Sequence, residues 1–360
     1  MLSRGRGGLE QTLIDYGEAL MIEGHPVHAV IHPDWPGRSV LQRLSIECTG
    51  LRSLGEWDPL AARRLHRLVE RPAPAAVLTI GRRASRLVRR ALGQRSALPQ
   101  IAQTPNYSID HLVGADHVIA TTNDLKRALI AAGQPVARVS VVPNLIRVPA
   151  DAAPKAPAPS SLPVIGALGR LVPKKGFDDW LVALSLLGER GYAFAAQIGG
   201  DGPEEARLRA LAAEHGLEDR LRFLGWVTDQ RAFYAGLDVL CVPSRHEPFG
   251  LVVLEGFAHA VATVVCDAEG PREIVTAGAD GLIAPRSDPK RLADALALLL
   301  DDPERRLRLA AAGLQTARAR YDLPVVARKI SSVVVEAIRA HAAIEPAHGP
   351  ACTEDRKHHV

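Results

Sequence analysis

Short apolar runs alternate with amphipathic segments along most of the chain. Runs rich in Val, Ile, Leu and Ala predict strands, and apolar residues at helical spacing between them predict helices. Strands that alternate with helices indicate right-handed crossovers and a parallel sheet. In the first half the predicted strands are Pro26–Pro33, Ala75–Gly81, Gln100–Thr104, Asp116–Thr122 and Arg138–Asn144, and the predicted helices are Leu9–His25, Asp58–Glu70, Arg82–Arg95 and Asn123–Ala132.

A second series of strands and helices follows a segment, RVPADAAPKAPAPSSLP, that is too poor in large apolar residues to pack. Its Pro, Ala and Ser content predicts an extended, semi-rigid linker. The sequence therefore predicts an amino-terminal α/β domain over residues 1–150, a linker over 151–163 and a second α/β domain over 164–322. A helix over 323–343 and a disordered tail over 344–360 are predicted to follow.

The stretch SRHEPFGLVVLE, Ser244–Glu255, carries the densest candidate chemistry. A predicted strand enters it, and an amphipathic helix begins within it. Because Pro248 and Gly250 break the chain between them, we expect the amide groups of Phe249, Gly250 and Leu251 at the positive end of that helix. Unpaired amides in this position bind an anion or a hydroxyl group.

Two carboxylates flank this stretch. Glu247 precedes the helix and Glu255 lies one to two turns inside it, so both side chains are expected at one crevice. Two Glu residues on a solvated helix are common, so their spacing alone is weak evidence for a functional site. A glycine-bearing loop upstream adds Arg170 and Lys175, which suit a diphosphate; Lys174 beside them is interpreted as solvated.

The order of these motifs is more specific than any one of them. Gly166–Trp180, then Gln197–Leu208 with its GGDGP turn, then Leu221–Val227, and finally the paired Glu247 and Glu255, resemble the carboxyl-terminal half of family 4 glycosyltransferases. The resemblance implies the GT-B architecture, in which two Rossmann-like, doubly wound parallel-sheet domains face a cleft. It also implies that the last helix crosses back to the first domain. The GGDGP glycines could equally serve only to turn the chain.

The resemblance also assigns roles. It places Arg170 and Lys175 on the diphosphate of a nucleotide-sugar, Glu255 on the ribose, and Glu247 with the amides of Phe249–Leu251 on the transferred sugar. No Asp-x-Asp metal motif follows a strand, so we expect side-chain cations to replace a divalent metal and no cofactor to be needed. A later segment, Ala268–Val275, resembles the loop on the far side of the donor; Arg272 and Glu273 within it could equally form a surface pair.

The amino-terminal half departs from the family at two places. Gly7 and Gly8, followed by Glu10, match a glycine loop that comes after a first strand, and the resemblance places Gly8 among the residues that bind the nucleotide-sugar; no room for that strand precedes them. We expect either that the natural chain begins further upstream, which we favour, or that this domain lacks its first strand. In addition, Pro105 stands where the family usually carries a histidine, and His111 is interpreted as a surface residue.

Charge and composition refine this interpretation. Residues 1–150 carry 19 Lys+Arg against 12 Asp+Glu, a net +7, whereas residues 151–360 carry 25 against 28, a net −3. In the first half, Arg82, Arg86, Arg89 and Arg90 are predicted on one side of a helix. They form either a solvated face or a patch for anionic lipid or a phosphorylated acceptor. Cys241 and Cys266 lie within apolar strands and are interpreted as reduced core residues.

Three functions are open at this stage. The first is a retaining glycosyltransferase that uses a glycan or lipid-linked acceptor in lipopolysaccharide or surface polysaccharide synthesis. The others are a nucleotide-sugar epimerase or phosphorylase on the same scaffold, and a binding protein with a degenerate site. No apolar run reaches about 18 residues and the amino terminus lacks a signal-peptide core, so a cytoplasmic protein, peripheral at most to the membrane, is expected. No nucleic-acid partner is expected.

Overall fold

The protein is described by a computed structural model over residues 8–70, 74–93, 96–104, 106–155 and 162–344. Its amino-terminal domain contains two separate parallel sheets, one of strands β1–β2 and one of order β3-β4-β5-β6. The strands are β1 (His28–Ile31), β2 (Glu47–Gly50), β3 (Val77–Ile80), β4 (Gln100–Thr104), β5 (His117–Ala120) and β6 (Val139–Val141). The helices are α1 (Gly8–Ile22), α2 (Arg38–Arg43), α3 (Pro59–Glu70), α4 (Arg82–Leu92) and α5 (Asn123–Ala131).

The carboxyl-terminal domain is built on one parallel sheet of six strands in the order β12-β11-β10-β7-β8-β9. The predicted parallel α/β architecture is thus confirmed. Its strands are β7 (Val164–Leu168), β8 (Ala195–Gly199), β9 (Leu221–Gly225), β10 (Val239–Val242), β11 (Ala262–Cys266) and β12 (Leu282–Ala284). Its helices are α6 (Phe177–Glu189), α7 (Glu205–Glu214), α8 (Gln230–Ala235), α9 (Leu251–Ala258), α10 (Pro271–Ile274), α11 (Pro289–Asp301) and α12 (Pro303–Thr316).

Helices cover both faces of this six-stranded sheet. Alternate residues of β10 enter opposite cores: Cys241 packs into the cluster with Trp180, and Leu240 packs into the cluster with Phe257. Because both faces are buried, the strands are almost continuously apolar, as parallel strands usually are. The prediction that Cys241 and Cys266 are reduced core residues is confirmed, since both are buried free thiols.

The last helix, α13 (Leu323–Ile344), packs against α1 of the amino-terminal domain. Val326, Ala327 and Ile330 of α13 share an apolar cluster with Tyr16 and with residues of the β3–β6 sheet. The His25 ring and the Ser331 hydroxyl add a 2.7 Å hydrogen bond. The amino-terminal domain is therefore completed by residues from the end of the chain.

Several sequence predictions differ from the structure in detail. Helix α2 and strand β2 were not predicted. Strand β2 was missed because Glu47–Gly50 is short and of mixed polarity. Helix α4 ends at Leu92, before Gly93 at φ +77°, and not at Arg95, which lies outside the described residues. The helix predicted to reach Arg320 changes into a π-helical turn at Ala317.

Other predictions fall outside the described residues. These are the glycine Gly7, the segment before it, Pro105, residues 156–161 of the predicted linker and residues 345–360 of the predicted tail. Among the described residues, β1 and β3 do not pair with each other: β1 pairs with β2, and β3 pairs with β4 in the other sheet. Among the described helices, none combines the length and apolar character needed to cross a bilayer.

The GGDGP glycines are explained by close packing of backbone. Gly200 has φ +122°, and a Cβ placed on it would lie 1.9 Å from the carbonyl oxygen of Gly169. Gly202 makes a similar approach to the carbonyl oxygen of Leu171. These glycines therefore allow the loops after β7 and β8 to touch at the carboxyl edge of the sheet.

We predict that Gly200→Ala destabilises the protein by about 3 kcal/mol, because it adds a backbone clash to an unfavourable φ. Gly133→Ala is the matched control: Gly133 has φ +102° but nothing within 4 Å of its Cβ position, so a cost of about 1 kcal/mol is expected. Urea unfolding of both variants measures the difference. Equal costs would show that the contact with Gly169 contributes nothing.

Candidate active site

The strand order of the larger sheet reverses at its centre. Strands β7 and β10 are neighbours, yet the chain continues from β7 toward one edge of the sheet and from β10 toward the other. The loops that leave the carboxyl ends of such a pair diverge and open a crevice, where open α/β sheets bind their ligands. The loop after β7 carries Arg170 and Lys175, and the loop after β10 carries Glu247.

Backbone contacts hold these two loops together. The carbonyl oxygen of Lys174 accepts hydrogen bonds from the amides of Arg245 at 2.9 Å and His246 at 3.2 Å. Gly176 has φ +66°, and a Cβ on it would lie 2.1 Å from the carbonyl oxygen of Pro243. Only glycine permits this approach, so the two loops form one rigid unit.

The side chains of Lys175 and Glu247 form an ion pair across the crevice. They are 18% and 15% exposed, so the pair is only partly screened by solvent. Arg170 is exposed, and its side chain makes no hydrogen bond or ion pair with another described residue. The structure thus brings Lys175 and Glu247 together and leaves Arg170 exposed in the loop after β7, apart from that pair.

Helix α9 begins directly behind this ion pair. Its amino-terminal cap is Gly250, at φ +106°, and the amides of Phe249, Gly250 and Leu251 donate no hydrogen bond to another described residue. The Phe249 ring is buried, 6.4 Å from the Tyr321 ring in an edge-on arrangement. A buried aromatic anchor therefore fixes an array of unpaired donors beside Glu247.

Glu269, which was not identified from the sequence, holds the loop that carries Glu247 through its side chain. Its carboxylate accepts a hydrogen bond from the Glu247 amide at 3.2 Å and another from the Arg286 guanidinium at 3.0 Å. The same carboxylate lies 3.3 Å from Nδ1 of His246. Burial raises the pKa of this carboxyl, but the hydrogen bonds outweigh it and the net pKa is lowered. Glu269 follows β11, and that position after a strand is the signal that could have identified it.

Glu255 lies deeper, in the second turn of α9. Its Oε2 accepts a 2.6 Å hydrogen bond from the Tyr234 hydroxyl, and the Tyr234 ring stacks on His259 with 4.8 Å between centroids. Burial raises the pKa of Glu255 above its ordinary value, whereas the Tyr234 hydrogen bond and nearby positive charge lower it. The folded protein therefore penalises the ionised form of this carboxyl.

A cavity of about 550 Å³ opens in front of Glu247, between the two domains. Every residue that lines it follows the carboxyl end of a parallel strand, β4 or β5 on one side and β7, β10 or β11 on the other. The lining residues are Asn106, Tyr107, Ser108, Asp124, Lys174, His246, Glu247, Pro248 and Glu269.

This lining differs from the predicted site. Of the predicted residues, Glu247 lines the cavity directly and Lys175 reaches it through the ion pair. Lys174 is exposed as predicted, yet it also lines the cavity. Gly8 begins α1 and is not among the lining residues.

The amino-terminal side of the cavity was missed. The Tyr107 hydroxyl hydrogen-bonds the Asp124 carboxylate, and this bond is the main reason that the pKa of Asp124 is lowered. Burial, together with Asp124, raises the pKa of Tyr107. Both residues follow strand ends, but neither forms a recognisable motif.

The interpretation of His111 as a surface residue is wrong. Its side chain is 5% exposed, and neither ring nitrogen has a hydrogen-bond partner among the described residues. Burial and the charges of Arg82, Arg86 and Arg89 lower the pKa of His111 to about 4, so the ring is neutral at pH 7. His111 lies in the connection between β4 and β5, and its carbonyl oxygen accepts a hydrogen bond from Arg89 of α4.

The four-arginine patch is also revised. Arg89 turns inward: its Nη2 donates to the His111 carbonyl at 3.3 Å, and its Nε is buried. Arg86 is half-buried and shares the carboxylate of Glu56 with Arg82. Arg82 and Arg90 remain exposed.

Comparison with known proteins identifies the family. Residues 150–316 match the family described as Glycosyl transferases group 1. The chain is 30% identical over 319 residues to the lipopolysaccharide core biosynthesis glycosyltransferase LpsD of Rhizobium meliloti (strain 1021), covering 88% of this chain and 91% of that protein. The chain belongs to the group 1 glycosyltransferases. A second relative of this glycosyltransferase, LpsE of the same organism, is 28% identical over 315 residues and covers 86% of this chain and 90% of that protein.

Solved structures establish that the glycosyltransferase has the predicted GT-B fold. The crystal structure of Anabaena Alr3699/HepE in complex with UDP and glucose matches it with a TM-score of 0.77 at 21% identity, covering 93% of this chain and 98% of that one. The apo form of the lipopolysaccharide outer core galactosyltransferase WaaB matches with a TM-score of 0.76 at 17% identity, covering 93% and 97%. The cavity therefore lies in the interdomain cleft of a GT-B enzyme.

We predict that Glu255→Gln stabilises the glycosyltransferase at neutral pH. A raised pKa means that the ionised carboxyl is less favourable in the folded than in the unfolded chain, and Gln keeps an acceptor for the Tyr234 hydroxyl. The melting temperature of the variant should exceed that of the wild type at about pH 7.5, and the gap should close as the pH falls below 4.5, the carboxyl's ordinary value. Glu218→Gln, at an exposed carboxylate, is the control; a variant less stable than the wild type at both pH values would contradict the assignment.

Proposed function

We propose that this glycosyltransferase transfers a hexose, with retention of anomeric configuration, from a nucleoside-diphosphate sugar to a glycan or lipid-linked acceptor in the cell envelope. The observation that carries the proposal is the Lys175–Glu247 ion pair, whose Glu247 lines the interdomain cavity, together with the neighbouring amides of Phe249, Gly250 and Leu251, which donate no hydrogen bond to another described residue. The cation suits the diphosphate of a nucleotide-sugar, and the carboxylate and the amide donors suit the hydroxyl groups of its sugar.

The departing diphosphate needs positive charge. Lys175 and Arg170 supply it from the loop after β7, and Arg170 has no competing partner among the described side chains. When the donor enters, Lys175 exchanges part of its contact with Glu247 for contact with phosphate oxygens. With these cations in place the reaction needs no divalent metal, so we expect a chelator to leave transfer unchanged.

The transferred sugar and the ribose need hydrogen-bonding groups. Glu247 and the amides at the start of α9 hold the sugar, and Glu247 stabilises the positive charge that develops at the anomeric carbon. Glu255 binds the ribose hydroxyls from within α9. Its raised pKa is consistent with a carboxylate that gains its natural partners only when a ligand arrives.

The relatives support the class of acceptor. LpsD and LpsE are named as lipopolysaccharide core biosynthesis glycosyltransferases, and each aligns over most of this chain. The HepE crystal structure contains UDP and glucose. We therefore propose a lipopolysaccharide or surface-polysaccharide acceptor and place a UDP-hexose first among the donors to be tried, ahead of GDP- and ADP-sugars.

Two other functions are distinguished by their products. A nucleotide-sugar epimerase on this scaffold would release an altered donor without any acceptor, and a phosphorylase would form a sugar phosphate only when inorganic phosphate is supplied, without a glycan or lipid-linked acceptor. A degenerate binding protein would bind the nucleotide and form no product. Thermal-shift screening against UDP-, GDP- and ADP-sugars finds the donor, because a ligand at 100 times its dissociation constant stabilises by about 2.7 kcal/mol.

We predict that substitution of Glu255 mainly weakens donor binding, whereas substitution of Glu247 mainly slows turnover. Glu255→Gln should raise the donor dissociation constant about tenfold, because a charge-assisted contact with the ribose is lost. Glu247→Gln should lower kcat about 100-fold with a smaller effect on donor affinity, because its interaction strengthens in the transition state. Glu218→Gln serves as the control. Full turnover in both site variants would remove the Ser244–Glu255 stretch from the active centre.

The membrane contact of this glycosyltransferase is also a proposal. Residues 51–93 carry ten Arg against three Asp+Glu, so this segment contains the whole +7 excess of residues 1–150. Three apolar side chains protrude beside the arginines: Leu54, Trp57 and Leu60 are 101%, 65% and 62% exposed. Arg86 lies over the Trp57 ring at 5.3 Å. Arginines around exposed Leu and Trp favour the interface of an anionic membrane.

We predict that vesicles containing phosphatidylglycerol bind the wild-type protein and that Leu54→Ser combined with Trp57→Ser reduces this binding about tenfold, since buried apolar area is lost. Vesicles of phosphatidylcholine alone should bind neither protein. Leu298→Ser, at an exposed leucine of α11, is the matched control. Equal sedimentation of wild type and double variant with anionic vesicles would leave the arginines as an ordinary solvated face.

A further inference from the structure

A carboxylate of one domain caps a helix of the other. Glu273, on α10 of the carboxyl-terminal domain, accepts hydrogen bonds from the backbone amides of Asn123 and Asp124, each at 2.8 Å, and from Nδ2 of Asn123 at 3.0 Å. Arg272 beside it lies 3.5 Å from the Asp124 carboxylate. Arg272 and Glu273 therefore do not form the surface pair considered from the sequence, since both turn toward the amino-terminal domain.

The cap fits the free donors of α5 closely. Thr122 is the amino-terminal cap residue of α5. Among the described residues, its side chain accepts a hydrogen bond only from the Leu125 amide, at 3.2 Å. The first two amides of the helix have no intrahelical acceptor, and the helix dipole favours a negative charge in front of them. Glu273 supplies both the acceptors and the charge.

The segment that carries Glu273 is fixed to the Glu247 loop. The Gly270 amide donates to the Glu247 carbonyl at 2.8 Å, and a Cβ on Gly270 would lie 2.1 Å from the Phe249 carbonyl oxygen. Pro271, the first residue of α10, is buried. The position of Glu273 is therefore set by the same loop that presents Glu247 to the cavity.

The helix that Glu273 caps carries the opposite wall of the cavity. Asp124 lines the cavity and accepts the hydrogen bond from Tyr107, which lines it too. A displacement of the α5 amino terminus would move Asp124 and Tyr107 relative to Glu247. One carboxylate thus connects the two walls between which a sugar must pass.

We propose that Glu273 is a positioning residue that sets the amino-terminal wall of the cleft, Tyr107 and Asp124, against Glu247 by capping α5 across the domain boundary. Its consequence for transfer rests on the proposed function, in which that wall receives the acceptor. The cap itself does not, and it is measurable without any substrate.

The test breaks the same contact from each side. Glu273→Ala removes the acceptor from the carboxyl-terminal domain. Asn123→Pro removes the backbone and side-chain donors of residue 123 and leaves only the Asp124 amide on Glu273. It should keep the helix intact, because proline is favoured at the first helical position and Thr122, at φ −138° and ψ 160°, has the extended conformation that precedes proline. Asn123→Ala, which keeps the backbone donor, and Glu218→Ala, at an exposed carboxylate, are the matched controls.

The first measurement is hydrogen exchange of the Asp124 amide in the free protein. Glu273→Ala should accelerate it about tenfold, because the amide loses its acceptor, whereas Glu218→Ala should leave it within about twofold of the wild type. Unchanged exchange at Asp124 in Glu273→Ala would overturn the cap in solution, whatever the enzyme's activity.

The second measurement uses the transfer reaction. Glu273→Ala should raise the acceptor KM about tenfold and Asn123→Pro should raise it by a smaller factor, while the dissociation constant for UDP stays within about twofold in both; the double variant should be no worse than Glu273→Ala alone. Effects that add in the double variant, or that fall equally on UDP binding, would overturn the positioning role. Absence of transfer by the wild type would count against the proposed function alone, because the exchange measurement still decides the cap.

Discussion

The architecture of this enzyme depends on the close contact between the loops that follow β7 and β10. The strands lie side by side at the centre of a parallel sheet, so their loops leave the same edge only one strand spacing apart. A side chain at Gly176 would collide with the Pro243 carbonyl, and its absence lets the loops pack as one body. Lys175 and Glu247 meet because of this contact, and α9 then directs its free amides to the same place.

Local sequence was sufficient to predict much of this half of the molecule. Apolar strands followed by glycine-bearing loops identify β7 and β10 without knowledge of their pairing, because the hydrophobic period and the chain-breaking residues are properties of a few neighbours. Lys175 and Glu247 are 72 residues apart, yet each was found from its own motif. Their ion pair was not foreseen, since it depends on how the two loops pack.

The residues that were missed depend on long-range contacts. Glu273 and Asn123 are 150 residues apart and belong to different domains, so no pattern within either segment indicates their hydrogen bond. His111 shows the same limit in another form, because a single histidine in the connection between β4 and β5 gives no local sign that it is buried beside Arg89 of α4. Arg89 sits at a helical spacing shared with exposed arginines, and its inward direction follows from the His111 carbonyl above it.

The packing of α13 against α1 has a consequence for how the enzyme is made. During synthesis the first domain emerges from the ribosome about 180 residues before the helix that completes its core, an interval that spans the entire second domain. Until then the faces of Tyr16, Ile101 and Ile119 that α13 covers stay open to water. The carboxyl-terminal domain, whose six strands come from one continuous stretch, is therefore the part of the nascent chain that can reach its final structure first.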